Sequence, residues 1–273
     1  MPDLYAVIGN PIAHSKSPLI HAAFAQQTGE NMQYEALLAP LHGFTQAVAD
    51  FRAGGGRGLN VTVPFKLQAW QLATQLTERA AAAQAVNTLR FDPSADGVIL
   101  GDNTDGAGLV RDITVNLQQR ISGKRVLLMG AGGAARGVLL PLLQQQPAVI
   151  AIANRSPAKA QALQQQFAAH GHVIAGAYAD FAGQQFDLII NATSASLSEQ
   201  LAPLADNSYA PGALAYDMMY GKDWTPFLRL AQQQGAACLA DGTGMLVEQA
   251  AESFFVWRGI RPETNPVIKI LKK

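Results

Sequence analysis

Lys66 and Asp105 have the side chains and the setting to move a proton. Lys66 ends the run Asn60-Val61-Thr62-Val63-Pro64-Phe65-Lys66, where an apolar strand passes into a helix start. It therefore lies near the carboxyl end of a strand, the place where α/β folds bind ligands. Asp105 belongs to Asp102-Asn103-Thr104-Asp105-Gly106, a crowded polar stretch ahead of a helix, in which Thr104 or Asp105 can also act as a cap. An ammonium within hydrogen-bond reach of a carboxylate can polarise a carbonyl oxygen and supply its proton as negative charge develops there. Asn87, at the start of another strand, offers a donor and an acceptor together. In His14-Ser15-Lys16-Ser17-Pro18, proline suits the first helical position, which makes Ser17 the expected N-cap. Two hydroxyls and free N–H groups at a helix start form a carboxylate site without a formal charge. His14 and His21 read as structural or solvated, and no cluster has metal-ligand spacing, so no metal is expected.

A second chemistry lies further along. Gly130-Ala131-Gly132-Gly133-Ala134-Ala135 follows the apolar run Val126 to Met129 and opens a helix, fitting the dinucleotide pattern with Ala135 in its third place. Gly130 permits the tight turn and Gly132 lets the backbone approach a pyrophosphate. The free N–H groups and dipole at the helix start favour the anion. The next strand ends at Asn154-Arg155-Ser156, with Lys159 one turn later. An NAD site usually carries a carboxylate there. A guanidinium can instead hold a 2′-phosphate through paired charge-assisted bonds, so the expected cofactor is NADP(H).

The elements that must position these groups alternate. Strands are expected at Leu4–Ile8, Tyr34–Leu38, Leu59–Val63, Thr88–Phe91 and Val98–Leu100, the last two as a hairpin. A second series runs through Arg125–Met129, Val149–Ala153, Leu188–Asn191, Ala213–Asp217 and Ala236–Ala240, with helices at 134–143, 157–169 and 226–234 and a long one at 246–257. This is the pattern of an α/β chain in two domains: an N-terminal α/β substrate domain and a Rossmann-like, doubly wound nucleotide domain. The expected division is 1–104 plus 243–273 for substrate and 105–242 for NADP, with the glycine-bearing crossings near 103–108 and 240–244 as a plausible hinge. Twenty basic and twenty acidic residues cancel, which speaks against nucleic acid or a polybasic membrane contact. One cysteine, Cys238, builds no intrachain disulfide and suits a reducing compartment. No signal peptide or membrane span is legible, so a cytoplasmic protein is expected, as a monomer or homodimer.

Taken in order, Gly9 to Pro18, Asn60 to Lys66, Ala85-Val86-Asn87-Thr88, Asn103 to Gly106, Gly130 to Ala135, Asn191-Ala192-Thr193-Ser194 and Gly242-Thr243-Gly244-Met245-Leu246 resemble the shikimate dehydrogenase family over nearly the whole chain. The resemblance implies reversible, NADPH-dependent reduction of 3-dehydroshikimate to shikimate in aromatic amino-acid biosynthesis. It implies that Ser15 and Ser17 hold the substrate carboxylate. Thr62, Lys66, Asn87, Asp105 and Gln249 would contact ring hydroxyls, with Tyr220 flanking. Lys66 would be the acid/base and Asp105 its partner. The implied cofactor set is Gly130, Ala131, Gly132, Gly133, Ala134, Asn154, Arg155, Ser156 and Lys159. Thr193, Met218 and Gly242 would line the nicotinamide side, and Glu78 would touch the cleft. One departure is Ser196, where family members often have glycine. Two alternatives stand beside this reading. One is a shikimate/quinate paralogue with relaxed cofactor choice, which Asn154-Arg155 opposes. The other is a non-catalytic NADP sensor, which has no need of both Lys66 and Asp105.

Overall fold

In a computed structural model, residues 1–92, 97–193 and 203–272 are described, and they divide into two units. One comprises Met1–Gly108 with Leu246–Leu271, the other Leu109–Met245.

The first unit holds a six-stranded sheet made of β1 (Asp3–Gly9), β2 (Met32–Leu38), β3 (Gly56–Val61), β4 (Gln75–Leu76), β5 (Thr88–Phe91) and β6 (Ile99–Asp102), ordered β2-β1-β3-β5-β6-β4. β1, β2 and β3 are parallel, whereas β5 runs antiparallel to both β3 and β6. The β5–β6 hairpin pairs Thr88 with Asp102 and Phe91 with Ile99; four of its turn residues, 93–96, lie outside the described residues. That register sets the end of β6 beside Asn87. α2 (Phe44–Ala53) and α3 (Lys66–Leu72) cover one face, where Phe44, Val48 and Ala69 pack on Ile8, Leu59, Val61 and Leu89. α4 (Glu78–Ala83) follows β4, its start capped by the Thr77 hydroxyl.

α1 (Ser17–Thr28), α9 (Thr243–Arg258) and α10 (Asn265–Leu271) make a second core from Ile20, Phe24, Val247, Ala251, Phe254 and Val267. Their spacing, Ile20/Phe24 and Val247/Ala251/Phe254, is one apolar helix face. Here Ser17 is the first helical residue and Lys16 the N-cap, one position off the expected cap, because Pro18 is accepted at the second place of the turn as well as the first.

The second unit is a parallel sheet of β7 (Arg125–Met129), β8 (Val149–Ala153), β9 (Val173–Gly176), β10 (Phe186–Asn191), β11 (Tyr209–Asp217) and β12 (Cys238–Ala240), ordered β12-β11-β10-β7-β8-β9. β7 and β8 are buried along nearly their whole length, as expected of parallel strands covered on both faces. α5 (Asp105–Arg111) carries the chain across from the first unit and continues into a π-turn at Asp112–Asn116. α6 (Gly133–Leu143), α7 (Pro157–Phe167) and α8 (Pro226–Gln233) complete the doubly wound pattern. The strand order reverses between β10 and β7. In such sheets that switch point opens a crevice at the carboxyl ends of the strands.

His21 is fully buried on α1, stacked on Tyr34 with ring centroids 4.2 Å apart, and neither ring nitrogen has a hydrogen-bond partner among the described residues. Burial pushes its pKa down to about 3, only partly offset by the nearby Asn60 side chain. An unfolded histidine titrates near 6.5, so between these values the unfolded chain binds one proton more than the folded one. Stability from this residue is complete above about pH 6.5 and falls with decreasing pH by about 1.4 kcal/mol per unit. His21→Phe is expected to flatten the loss of melting temperature between about pH 6.5 and pH 4 relative to wild type; an unchanged slope in thermal scans contradicts the neutral, buried imidazole.

Candidate active site

The first unit gathers a polar cluster at the ends of β3, β5 and β6. Lys66 opens α3, directly after the turn Thr62–Phe65, whose Phe65 is buried and anchors it. Lys66 Nζ donates to Asp105 Oδ2 at 2.6 Å, with about a third of the lysine side chain exposed and the carboxylate largely covered. Asn87 Nδ2 donates to the other carboxylate oxygen at 2.8 Å and to Thr104 Oγ1 at 2.9 Å. Its Oδ1 accepts the Thr104 backbone N–H at 2.9 Å. Gln249, half-buried on α9, brings Oε1 within 3.3 Å of the same Asn87 amide. The pair is thus locked on the carboxylate side and open on the ammonium side, which is what a proton donor requires.

Beneath it, Asn60 Nδ2 donates to Ser253 Oγ at 2.9 Å and to the Asn87 carbonyl at 3.2 Å, and Tyr34 donates to Asn60 Oδ1 at 2.7 Å. Sequence reasoning placed Asn60 in a motif but singled out neither Tyr34 nor Ser253, because those contacts join residues far apart in the chain. Ser15 Oγ accepts the Ser17 backbone N–H at 3.3 Å, and Ser17 is buried at the head of α1. Thr62 is half-buried beside Gly9, where an added Cβ would stand 2.5 Å from its methyl. Glu78 is exposed at the first position of α4.

Next to this cluster, Asp102 is buried. Burial alone would raise its pKa, but Arg79 holds it with paired bonds of 2.7 and 2.6 Å, and the carboxyl lies below its ordinary range. Asp102 therefore stabilises the fold fully above about pH 4, and that contribution is lost as pH falls below it.

The second unit places the glycine turn at the switch point. Gly130 has φ 107°, a left-handed value that glycine adopts at no steric cost, and a Cβ there would meet the Thr193 methyl at 3.0 Å. Gly132 and Gly133 face open space. α6 begins with no side-chain cap and no acidic residue in its first turn. An uncapped eleven-residue helix with an open glycine edge fits a pyrophosphate. Beyond β8, Asn154 Nδ2 donates to the Ser156 carbonyl at 2.9 Å and shapes the loop. Arg155 and Lys159 are exposed there, and among the described residues neither is held in an ion pair. Burial raises the pKa of Tyr178, and the Arg155 charge beside it works the other way. These groups fit a 2′-phosphate. Thr193, Met218 and Gly242 lie beyond the ends of β10, β11 and β12, while Tyr220 is exposed after β11. Ser194 and Ser196 lie outside the described residues. Among the described residues there is no group of side chains able to hold a metal ion, and no helix is long and apolar enough to cross a membrane.

A doubly wound unit with an anion-binding glycine turn, in one chain with a lysine–carboxylate pair set among amides and hydroxyls, defines a nicotinamide-nucleotide-dependent oxidoreductase. Residues 7–89 match the family described as the shikimate dehydrogenase substrate binding domain, 112–200 the shikimate / quinate 5-dehydrogenase family, and 242–272 the shikimate 5′-dehydrogenase C-terminal domain. A shikimate dehydrogenase (NADP(+)) of Nitrosospira multiformis is 66% identical over 272 residues, covering 100% of this chain and 98% of that one. An Ael1 enzyme from Pseudomonas putida superposes with a TM-score of 0.95 at 52% identity, covering 99% and 98% of the two chains. A shikimate 5-dehydrogenase from Thermus thermophilus, solved in complex with NADP(H) and shikimate, gives 0.85 at 29% identity, with 98% and 97% covered. The chain belongs to the shikimate dehydrogenase family.

Replacing Arg79 with Met would leave Asp102 buried without its counter-charge. Arg79→Met is expected to cost about 3–5 kcal/mol at neutral pH and less at acid pH, where burial, no longer opposed by Arg79, favours the protonated Asp102 carboxyl of the variant. Urea unfolding at the two pH values checks this.

Proposed function

We propose that the chain catalyses the reversible, NADPH-dependent reduction of 3-dehydroshikimate to shikimate. The observation that carries this reading is the 2.6 Å pair of Lys66 and Asp105, with Asn87 fixed on the carboxylate's other oxygen. NADPH, when bound, would supply the hydride that reduces the substrate's carbonyl carbon. Lys66 Nζ then donates a proton to the carbonyl oxygen, which becomes the alcohol, and takes it back in the reverse direction. Asp105 keeps Nζ aimed and compensates its charge while that proton is held. Ser15 and Ser17 hold the ring carboxylate through hydroxyls and the first N–H groups of α1. Thr62, Asn87, Asp105 and Gln249 bond the ring hydroxyls, and Tyr220 flanks the ring.

For the cofactor, Gly130, Ala131, Gly132, Gly133 and Ala134 cradle the pyrophosphate. Asn154, Arg155, Ser156 and Lys159 take the ribose and its 2′-phosphate, with Arg155 as the charge clamp. Thr193, Met218 and Gly242 line the nicotinamide side, and Glu78 completes the cofactor set. The single cysteine fits work in a reducing compartment such as the cytoplasm, as a monomer or homodimer.

An absorbance assay of NADP⁺ reduction with shikimate, and then with quinate, tests the reaction; no turnover with shikimate overturns it. Lys66→Ala is expected to lower kcat by about a thousandfold with NADPH binding near wild type, since a positioned acid/base contributes of that order. Normal kcat would remove Lys66 from the proton's path. Arg155→Ala is expected to raise the KM for NADPH by about tenfold or more and that for NADH little, since only the former carries the 2′-phosphate. Equal losses in steady-state kinetics refute the clamp.

A further inference from the structure

Asp217 is fully buried at the end of β11, and the reading above gives it no task. Its register partner is Asn191, the last residue of β10. Asp217 Oδ1 accepts from Asn191 Nδ2 at 3.2 Å and from the Met219 backbone N–H at 3.0 Å. Oδ2 accepts from the Thr225 hydroxyl at 2.6 Å, the residue that caps α8. Asn191 passes the constraint on. Its Oδ1 accepts both the backbone N–H of Thr193 at 3.1 Å and its hydroxyl at 2.7 Å, and its carbonyl accepts the Met218 N–H at 3.0 Å. The Met219 carbonyl in turn accepts the Gly242 N–H at 3.0 Å, and a Cβ on Gly242 would stand 2.3 Å from the Met218 carbonyl oxygen. Three loops, after β10, β11 and β12, therefore hang from one carboxylate and one amide.

The chemistry of the hub suits the task. An ionised carboxylate only accepts, so it can gather three donors without turning one of its own protons toward them. A buried charge is tolerated only when it is hydrogen-bonded in this way, and such bonds are short and strong. The loops it gathers carry Thr193, Met218 and Gly242.

We propose that Asp217 is a positioning residue for hydride transfer: through Asn191 and Met219 it sets the surface against which the nicotinamide ring is presented. It touches neither substrate nor cofactor itself. The inference rests on the assignment of Thr193, Met218 and Gly242 to the nicotinamide side.

The test separates the nicotinamide end of the cofactor from its phosphate end. Asp217→Ala is expected to lower kcat by about a hundredfold, the cost of misplacing reacting atoms by roughly an ångström. The KM for shikimate, and the affinity for 2′-phospho-ADP-ribose (the cofactor without its nicotinamide), should stay within about twofold of wild type. Asp217→Asn, which keeps the shape and one acceptor, should recover part of kcat. Wild-type kcat in Asp217→Ala, or an affinity for 2′-phospho-ADP-ribose that falls as far as kcat does, overturns the proposal. Should Asp217→Ala fail to fold, Asn191→Ser cuts the tie to Thr193 and must show the same split; wild-type kcat there overturns it equally. Gly242→Ala distinguishes the two levels of the reading. A loss of kcat in Gly242→Ala with none in Asp217→Ala sinks only the role of Asp217, whereas wild-type kcat in both sinks the nicotinamide-side assignment.

Discussion

The buried side chain of Asn87 is the constraint on which the polar cluster of the first unit depends. Its amide nitrogen donates to Asp105 and Thr104, and its oxygen accepts from the Thr104 backbone and the Thr88 hydroxyl. No other residue of that length offers both roles. With both ends engaged, the amide cannot rotate, so the Asp105 carboxylate plane is fixed and Oδ2 alone is left for Lys66. An aspartate at position 87 would set two carboxylates against each other, and an apolar residue would strand the Thr104 N–H at a cost of about 1–3 kcal/mol. The geometry is inherited from the backbone. The antiparallel register that pairs Thr88 with Asp102 is what brings the residues beyond β6 back to Asn87.

The second unit solves a related problem with parallel strands. There the carboxyl ends of β7, β10 and β11 all emerge on one side, so Gly130, Asn191 and Asp217 become neighbours because of register alone. In both units a buried amide stands next to a carboxylate, and the amide distributes the constraint to a loop. In the first unit the carboxylate faces a lysine. In the second it faces backbone N–H and hydroxyl donors, which suits a scaffold that should not itself exchange protons.

The legible parts of the fold were those dictated by burial on both faces. Val126–Met129 and Val149–Ala153 are continuous apolar runs, and the strands expected at Arg125–Met129 and Val149–Ala153 are observed with those bounds. β9 went unread because Val173–Gly176 is four residues long with a half-exposed middle. β4, with two residues, and α10, which begins Asn265-Pro266, carry little periodicity of their own. β3 starts three residues before the expected Leu59, since Gly56 and Gly58 give no strand signal; Gly58 is a glycine because a Cβ would lie 2.4 Å from Trp257 Nε1. At the site, Lys66, Asp105 and Asn87 could be picked out because polar residues at strand ends are conspicuous. Tyr34, Ser253 and Asp217 could not, because each sits inside an ordinary strand or helix pattern and gains its meaning from a partner distant in the chain.

The two charged regions also differ in how their charges are held, and the difference suits what each is proposed to bind. Lys66 already has a counter-ion, so its ammonium can sit in a partly desolvated place without an uncompensated charge, and a neutral carbonyl can approach it. Arg155 and Lys159 stay in water at the uncapped start of α7, where an unpaired cation costs little. A dianionic phosphate then meets guanidinium, ammonium and helix dipole together. A carboxylate at Arg155 would repel that phosphate and accept from ribose hydroxyls instead. On the proposed reading the cofactor preference rests on the sign of one exposed side chain, whereas the placing of Lys66 against Asp105 rests on a register that runs through the middle of a sheet.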